Sequence, residues 1–551
     1  MGAYHDIYLK TDVILLADVF ETFRETCFTN YKLDPSHFYT APVLAWQACL
    51  KKTDVELDLL SDMDMLLFVE RGIRGGLCQA VHRHAKANNP YMGEMYNTSE
   101  ETTYLHYLDA NNLYGWAMIQ KLPTGGFEWD DASKFIAKLI SKLAAENSEY
   151  GYLLEVDARY RELHDTHNDL PFMPERKVIN GVEKLTPCLS DKKNYVIHIR
   201  ALDQALKHGL ILEKVHRVLR FDQSAWLKPY IDFNTDLRTK STNDFEKDFF
   251  KLINNSVFGK TMENQRKQKD IRLATKKEQY EKLVMKPNFK GAICFSETLS
   301  GIAMSKIKIK LNKPIYLGPA ILHLSKMVMY EFHYDYMRPR YDIADDVPTR
   351  FDTSGYDRSD GRPLPLGLNK KIIGLMKDEL GGKVMTEFVA LRAKNYAYKQ
   401  LDGKEDKKCK GVKKCVVKKT IGFDDYKRCL FDGVNIYIEQ ITFQSIMHDI
   451  HTVKTNKLAL DADDDKRIIV DGITTNCKKK GGGVCMFIHN SILFNLKSDT
   501  CANNNDCESL SIDIINKATK NIHMHLLYRP PAGSMENFEN HVKNILTDHK
   551  W

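Results

Sequence analysis

The stretch His106–Gln120 constrains this chain more than any other. Tyr104, Leu105, Tyr107 and Leu108 predict a buried strand. Asp109 closes it, and Asn112-Leu113-Tyr114-Gly115 reads as a turn into a short helix. A carboxylate at such a place stands at the lip of a sheet and can hold a divalent cation through hard oxygen ligands. The turn after it can wrap a phosphate tail, and Tyr114 can pack under a sugar. A helix-capping aspartate would have the same local pattern, so the rest of the chain has to decide.

A second stretch, Asp244–Gly259, predicts a helix with two faces. Phe245, Phe249, Leu252 and Ile253 form the apolar side, and Lys247, Lys251, Asn255, Phe258 and Gly259 recur on the other. A cation, an amide one turn on and an aromatic beyond it suit the phosphates, sugar and base of a nucleotide. An ordinary amphipathic helix bearing lysines would share the spacing. Near the start, Asp6–Asn30 predicts a helix that places Tyr8 and Asp12 on one face. Asp58–Phe68 predicts another helix, and Arg71-Gly72-Ile73-Arg74-Gly75-Gly76 follows it, where glycines let backbone approach a ligand and arginines suit phosphate. Leu77–Val81 reads as a strand.

Further on, Leu391–Tyr398 reads as a strand in which Lys394 and Tyr396 share a face. Lys399–Lys419 then carries nine lysines against three acids, a match for phosphates, with Lys413 and Lys414 at its centre. Pro319–Tyr336 predicts a core helix, and Phe423–Thr452 predicts a helix-rich end. Between these lies Tyr341–Pro365, turn-dense and holding Asp342, Asp345, Asp346, Asp352, Asp357 and Asp360.

Composition narrows the class. At 551 residues, 43% hydrophobic and 28% charged, the chain has room for three or four globular units. The net charge of +7 leans mildly towards polyanions. No run approaches a membrane span, and Met-Gly-Ala-Tyr-His-Asp is no signal peptide. The 12 cysteines show no Cys-x-x-Cys pair and read as reduced thiols. An intracellular, nuclear location is the expectation, with no membrane partner.

The stretches stand in an order that resembles the family B DNA polymerases, nearest the protein-primed branch of viruses and large self-synthesising transposons. Tyr8-x-x-x-Asp12 is similar to the third exonuclease motif, and Gly72–Gly76 to the glycine linker between exonuclease and polymerase domains. Asp109–Tyr114 resembles the first palm motif. Lys251-x-x-x-Asn255-Ser256-x-Phe258-Gly259 resembles the fingers motif, with Phe258 where tyrosine is usual, and Lys394-x-Tyr396 resembles the primer-gripping motif. The resemblance covers roughly residues 1–470. It implies an α+β fold of palm, fingers and basic thumb, with a truncated ribonuclease-H-like exonuclease remnant over 1–70 and polymerase over 71–470. Terminal-protein-region insertions are implied at about 121–243 and 266–310.

The same resemblance implies roles. Asp109 would be catalytic and bind two Mg²⁺ ions. Tyr114, Lys251, Asn255, Phe258 and Gly259 would bind the incoming dNTP. Arg74, Gly75, Gly76, Lys394, Tyr396, Lys413 and Lys414 would contact primer–template DNA, with a terminal protein as the primer. Two departures stand out. The third palm motif, Asp-Thr-Asp on a strand hairpin, is missing where it belongs after Tyr341, and Asp352-Thr353-Ser354 lacks the second carboxylate. The first two exonuclease motifs are also missing. Past a break at Lys478–Gly483, residues 475–551 resemble a piece of a non-LTR retrotransposon endonuclease, of the exonuclease/endonuclease/phosphatase family, a partial α/β tail with Glu508 and Tyr528 among its matching positions. The expected function is template-directed dNTP addition, impaired by the missing motif. The alternative is a catalytically inactive DNA-binding relic of a transposon polymerase.

Overall fold

The computed structural model describes residues 2–145, 147–160, 163–179, 181–339, 347–356, 367–446 and 449–463, with four strand segments beyond them at 494–496, 502–503, 508–514 and 522–528. The architecture is α+β. Its centre is a bundle of helices, Ala41–Thr53, Lys228–Lys240, Asp244–Thr261 and Leu317–Tyr330, around one apolar core. Leu44, Trp46, Tyr230, Ile253, Val257 and Leu324 meet there. The helix Asp244–Thr261 buries Phe249 and Ile253 of its predicted apolar side, but Phe245 and Leu252 are exposed and Phe250 is buried in their stead; Asn243 caps its start by accepting the Glu246 N–H at 2.8 Å.

Against this bundle lies a four-stranded antiparallel sheet in the order Leu122–Asp130, Ile211–Ser224, Tyr150–Arg159, Lys192–His198. Side chains alternate across it. Leu153, Val196 and Leu219 face the central core, and Leu154, Tyr195, Ile197 and Val218 face a second core with Phe172 and Tyr334. A sheet covered on both faces needs continuous apolar strands, which is why Tyr152–Val156 is uniformly buried. Leu122–Asp130 is a strand of this sheet. The helix Lys228–Lys240 falls within the span expected for the first insertion, yet it packs into the central core beside the fingers-like helix.

The second expected insertion carries a three-stranded sheet, Phe289–Ser296, Leu299–Met304 and Asp270–Ala274, folded over the helix Lys277–Val284. A four-stranded sheet, His84–Lys86, Met385–Arg392, Asn395–Gln400 and Glu405–Cys409, packs on the helices Lys414–Thr420 and Phe423–Asp432. Three expectations give way here. Residues 433–460 form no helix beyond Asp432; they build a long hairpin, Ile436–Ile446 with Asp449–Leu460. Residues 77–81 carry no strand, and Lys394 sits in the hairpin turn with φ +64° rather than inside a strand with Tyr396. β-propensity alone cannot see a turn that a non-glycine residue fills.

A short three-stranded sheet carries Asp109. Leu108–Ala110 pairs antiparallel with Met376–Asp378, which pairs parallel with Phe351–Asp352. Both Asp109 and Asp352 register with Lys377, so the three stand in one row. In the tail, Glu508 of strand Glu508–Ile514 stands opposite Tyr528 of strand Ile522–Tyr528. Val484–His489 lies outside the described residues.

Candidate active site

The turn after Asp109 is built by asparagine chemistry. Asn112 takes a left-handed conformation, φ 49°, and its Oδ1 accepts the Gly115 N–H at 3.2 Å. Asparagine tolerates this region. A Cβ on Gly115 would come 2.1 Å from Asn112 Nδ2, so glycine is required there. The short helix Leu113–Met118 then projects Tyr114 onto Phe258 of the fingers-like helix, rings stacked at 4.8 Å and 16°. A Cβ on Gly76 would lie 3.3 Å from the Tyr114 Oη, so the glycine linker closes over the same ring.

Asn111 and Asn112 line a small polar cleft together with Lys251 and Asn254, Thr235 and Arg238, and Lys371 and Ile373. Asp109 feels one of these cations, Lys251. Its side chain is open to solvent on one side, yet partial burial pushes its carboxyl above the ordinary carboxylate range, reinforced by Glu379 and opposed by Lys251 and Lys377. Asp109, Tyr114, Lys251 and Phe258 are thus brought together from distant parts of the chain. Asn255 is exposed on the adjoining face, and its neighbour Asn254 faces inward. Asn254 Oδ1 accepts from Asn234 Nδ2 at 2.9 Å, and Asn234 Oδ1 accepts from Tyr31 Oη at 2.6 Å. Gly259 has open space above it.

Asp352 behaves differently. Only 2% exposed, it accepts from Asn111 Nδ2 at 2.7 Å and from the backbone N–H groups of Lys371 at 2.8 Å and Ser354 at 3.0 Å. Burial would raise its carboxyl, but these donors hold it below the ordinary range. Its oxygens are committed. A two-ion clamp needs more than one carboxylate with free oxygens. Glu379, the other acid beside Asp109, already accepts from Lys377 Nζ at 2.9 Å. Among the described residues, no group of three or more His, Cys, Asp or Glu side chains gathers to hold a metal. The described residues do not fit the pair of Mg²⁺ ions. Asp342, Asp345, Asp346, Asp357 and Asp360 lie outside them.

The remaining expected contacts divide. Lys394 and Tyr396 line one open groove with Lys407, Lys408, Lys414 and Lys418. Lys413 Nζ donates to the Ile441 carbonyl at 2.6 Å instead. Tyr396 hydrogen-bonds Tyr107 through their hydroxyls at 2.8 Å, tying the groove to the strand before Asp109. Arg74 turns inward: its guanidinium carbon sits 3.7 Å above the Tyr195 ring and Nη1 donates to the Val196 carbonyl at 2.8 Å. Gly75 is unobstructed. Tyr8 and Asp12 are exposed on the helix Gly2–Tyr31. Sequence reasoning missed Thr235, Arg238 and Lys371. The first two share a helix face at i, i+3, a signal hidden because their helix was counted with the insertion.

Over residues 5–339, more than half of the chain, the sequence matches the model of DNA polymerase type B, organellar and viral. The chain belongs to this family of DNA-directed DNA polymerases. No curated protein sequence matches it. Among solved structures, it is similar to Phi29 DNA polymerase complexed with primer-template DNA and incoming nucleotide substrates, at TM-score 0.49 and 15% identity, covering 76% of this chain and 68% of that one. It is also similar to the orthorhombic crystal form of Phi29 DNA polymerase, at TM-score 0.48 and 14% identity, covering 76% and 68%. Among the described residues, no helix is long and apolar enough to cross a membrane.

Proposed function

We propose that this chain binds a dNTP beside primer–template DNA and adds nucleotides weakly or not at all. The observation that carries the reading is the meeting of Asn111, Asn112, Lys251 and Arg238 in one cleft, with Phe258 of Lys251's helix stacked on Tyr114 two residues past Asn112. In this reading Lys251 and Arg238 neutralise phosphates, the stack bounds the sugar and base, and Asp109 is the carboxylate at the reacting end. The groove of Lys394, Tyr396, Lys407 and Lys414 takes the sugar–phosphate backbone of the primer–template. Weak chemistry is expected because Asp352 is spent on hydrogen bonds and Asp109 stands nearly alone. Protein priming and a transposon origin belong to the same reading, as do an exonuclease remnant at Tyr8 and Asp12 and an endonuclease-like tail.

Primer extension with Mg²⁺ and dNTPs tests it. Losing a carboxylate of the clamp should slow addition by ~10³-fold or more. The expected result is binding of primer–template with extension near background. Robust extension abolished by Asp109→Ala would overturn the weak-activity reading and point to a carboxylate outside the described residues. Failure to bind DNA or nucleotide at all would overturn the reading entirely.

A further inference from the structure

The cleft holds an imbalance of charge. Arg238, Lys251 and Lys371 line it, and among the described residues none of the three makes an ion pair through its side chain. Arg238 also keeps a buried Nε–H with no hydrogen-bond partner. Crowding is felt at Lys371, whose ammonium is pushed below the ordinary lysine range by burial and then by Arg238, Lys370 and Lys247. Three cations without an ion pair, one bearing an orphaned donor, outnumber the carboxylates that act on them, Asp109 on Lys251 and Asp352 on Lys371, and form a receptor for a polyanion.

The position of Lys371 is enforced. It takes φ +60°, and Asn369 takes φ +59°, a region that costs non-glycine residues ~1–2 kcal/mol each. Asp352 holds the turn by accepting the Lys371 N–H, and Asn369 Nδ2 donates to the Phe351 carbonyl at 2.9 Å. The Asn111 N–H donates to the Leu375 carbonyl and the Gly374 N–H to the Asn111 carbonyl, both at 2.8 Å. Asp352 is therefore a positioning residue for this loop.

We propose that Lys371 takes the place of a divalent cation here, so that Arg238, Lys251 and Lys371 hold the triphosphate of a nucleotide without metal. The proposal rests on the nucleotide-site reading above. It explains why one uncommitted carboxylate suffices beside the cleft: an ammonium contributes positive charge and needs no acidic ligands.

Isothermal titration of the full chain with dATP and with inorganic tripolyphosphate, in EDTA and in Mg²⁺, tests it. dATP affinity in EDTA should stay within about threefold of that in Mg²⁺, and Lys371→Gln should weaken it ~10-fold in EDTA, about one lost phosphate contact. Lys371→Arg should restore most of that loss. Asp352→Asn should weaken EDTA binding less than Lys371→Gln does, because the loop loosens while the ammonium stays. Thermal unfolding of each variant reports whether the fold is kept. Binding that collapses in EDTA, with Lys371→Gln silent and Lys251→Gln severe, would overturn the metal-independent proposal and leave the nucleotide site standing. Tripolyphosphate binding without dATP preference, or no dATP binding in either condition, would overturn the nucleotide site itself.

Discussion

Two sheets of this molecule are made differently. The sheet of Tyr150–Arg159 and its neighbours has strands of up to 14 residues and an apolar core on each face. The sheet of Asp109 has strands of three, three and two residues, with a core of Tyr336, Phe351 and Met376 beneath it. The large sheet is held by burial. The small one is held by directed polar bonds: Asp352 to three donors, Asn112 to Gly115, Asn111 to the backbone of Gly374 and Leu375. Burial is non-directional and tolerates change in any one contact. Directed bonds fix a few atoms in place, and the uncommitted charges stand where those bonds hold them.

The sharpest way to break this contrast is to damage the large sheet's core. Phe172 stacks on Tyr330 at 4.3 Å and on Tyr334 at 5.2 Å, and is 2% exposed. Phe172→Ala should cost ~3–5 kcal/mol, through lost transfer free energy and the cavity left behind. Urea unfolding would read the loss. Nucleotide affinity of the molecules that remain folded should stay within about threefold, since additivity holds for distant sites. A larger loss of affinity would mean that the insertion core and the cleft are one cooperative unit.

A smaller effect sharpens the junction between the two regions. Lys326, on the helix Leu317–Tyr330, donates to the carbonyl of Arg74 in the glycine linker at 2.7 Å and to Leu322 at 3.2 Å. Burial, and then the charge of Arg74, lowers its ammonium from 10.5 to about 7. The folded state therefore binds fewer protons than the unfolded state between about pH 7 and pH 10.5. Stability must rise with pH across that window. Between pH 7 and pH 9 this one group should contribute about 2 kcal/mol of the rise. Lys326→Met should flatten that limb of the stability curve. An equal slope in wild type and variant would mean that Lys326 stays charged, with water at its amine.

How much of this was legible beforehand follows the same division. The helix Asp244–Thr261 and the central core were readable, because apolar spacing records burial directly. Asp109, Tyr114, Lys251 and Phe258 were grouped by their resemblance to one family's motifs, and in the fold Tyr114 stacks on Phe258 while the charge of Lys251 acts on Asp109. Asp352 was visible only as an acid in a turn-dense run; that it would be buried and saturated depends on Asn111, Lys371 and Ser354 meeting it from elsewhere in the chain. Lys371 was hidden for the same reason. A lone lysine in a loop has no periodicity, and its direction is set by a left-handed turn that lysine seldom adopts. The hairpin Ile436–Ile446 with Asp449–Leu460 was misread because the helix Phe423–Asp432 was carried past its stop signal: Gly433 caps it in the left-handed region, φ 67°.

The smallest effect separates the two halves of the first helix, Gly2–Tyr31. Its end is anchored: Cys27 and Tyr31 are buried, Phe23 meets Phe249 edge-on at 5.1 Å, and Arg24 pairs with Asp34. Its beginning is bare. Ile7, Leu9, Val13, Ile14 and Leu16 are exposed on every side, and the ring contact of Tyr8 among the described residues is with Tyr4 at 6.4 Å. Asp12 makes no hydrogen bond or ion pair through its side chain among the described residues. Exposed substitutions without a partner seldom change stability by more than ~0.5 kcal/mol. Tyr8→Phe and Asp12→Ala should therefore leave the stability unchanged, whereas Tyr31→Phe, which strips Asn234 of its 2.6 Å donor, should lower it by ~1 kcal/mol. The same pair tests the exonuclease reading. Among the described residues Asp12 joins no group of three or more His, Cys, Asp or Glu side chains that could hold a metal, and hydrolysis by paired ions needs several carboxylates. No 3′→5′ digestion of labelled primer is expected from the chain. Digestion that disappears with Asp12→Ala would show that this exposed face completes a working site, and would make the bare half of the helix the more functional of the two.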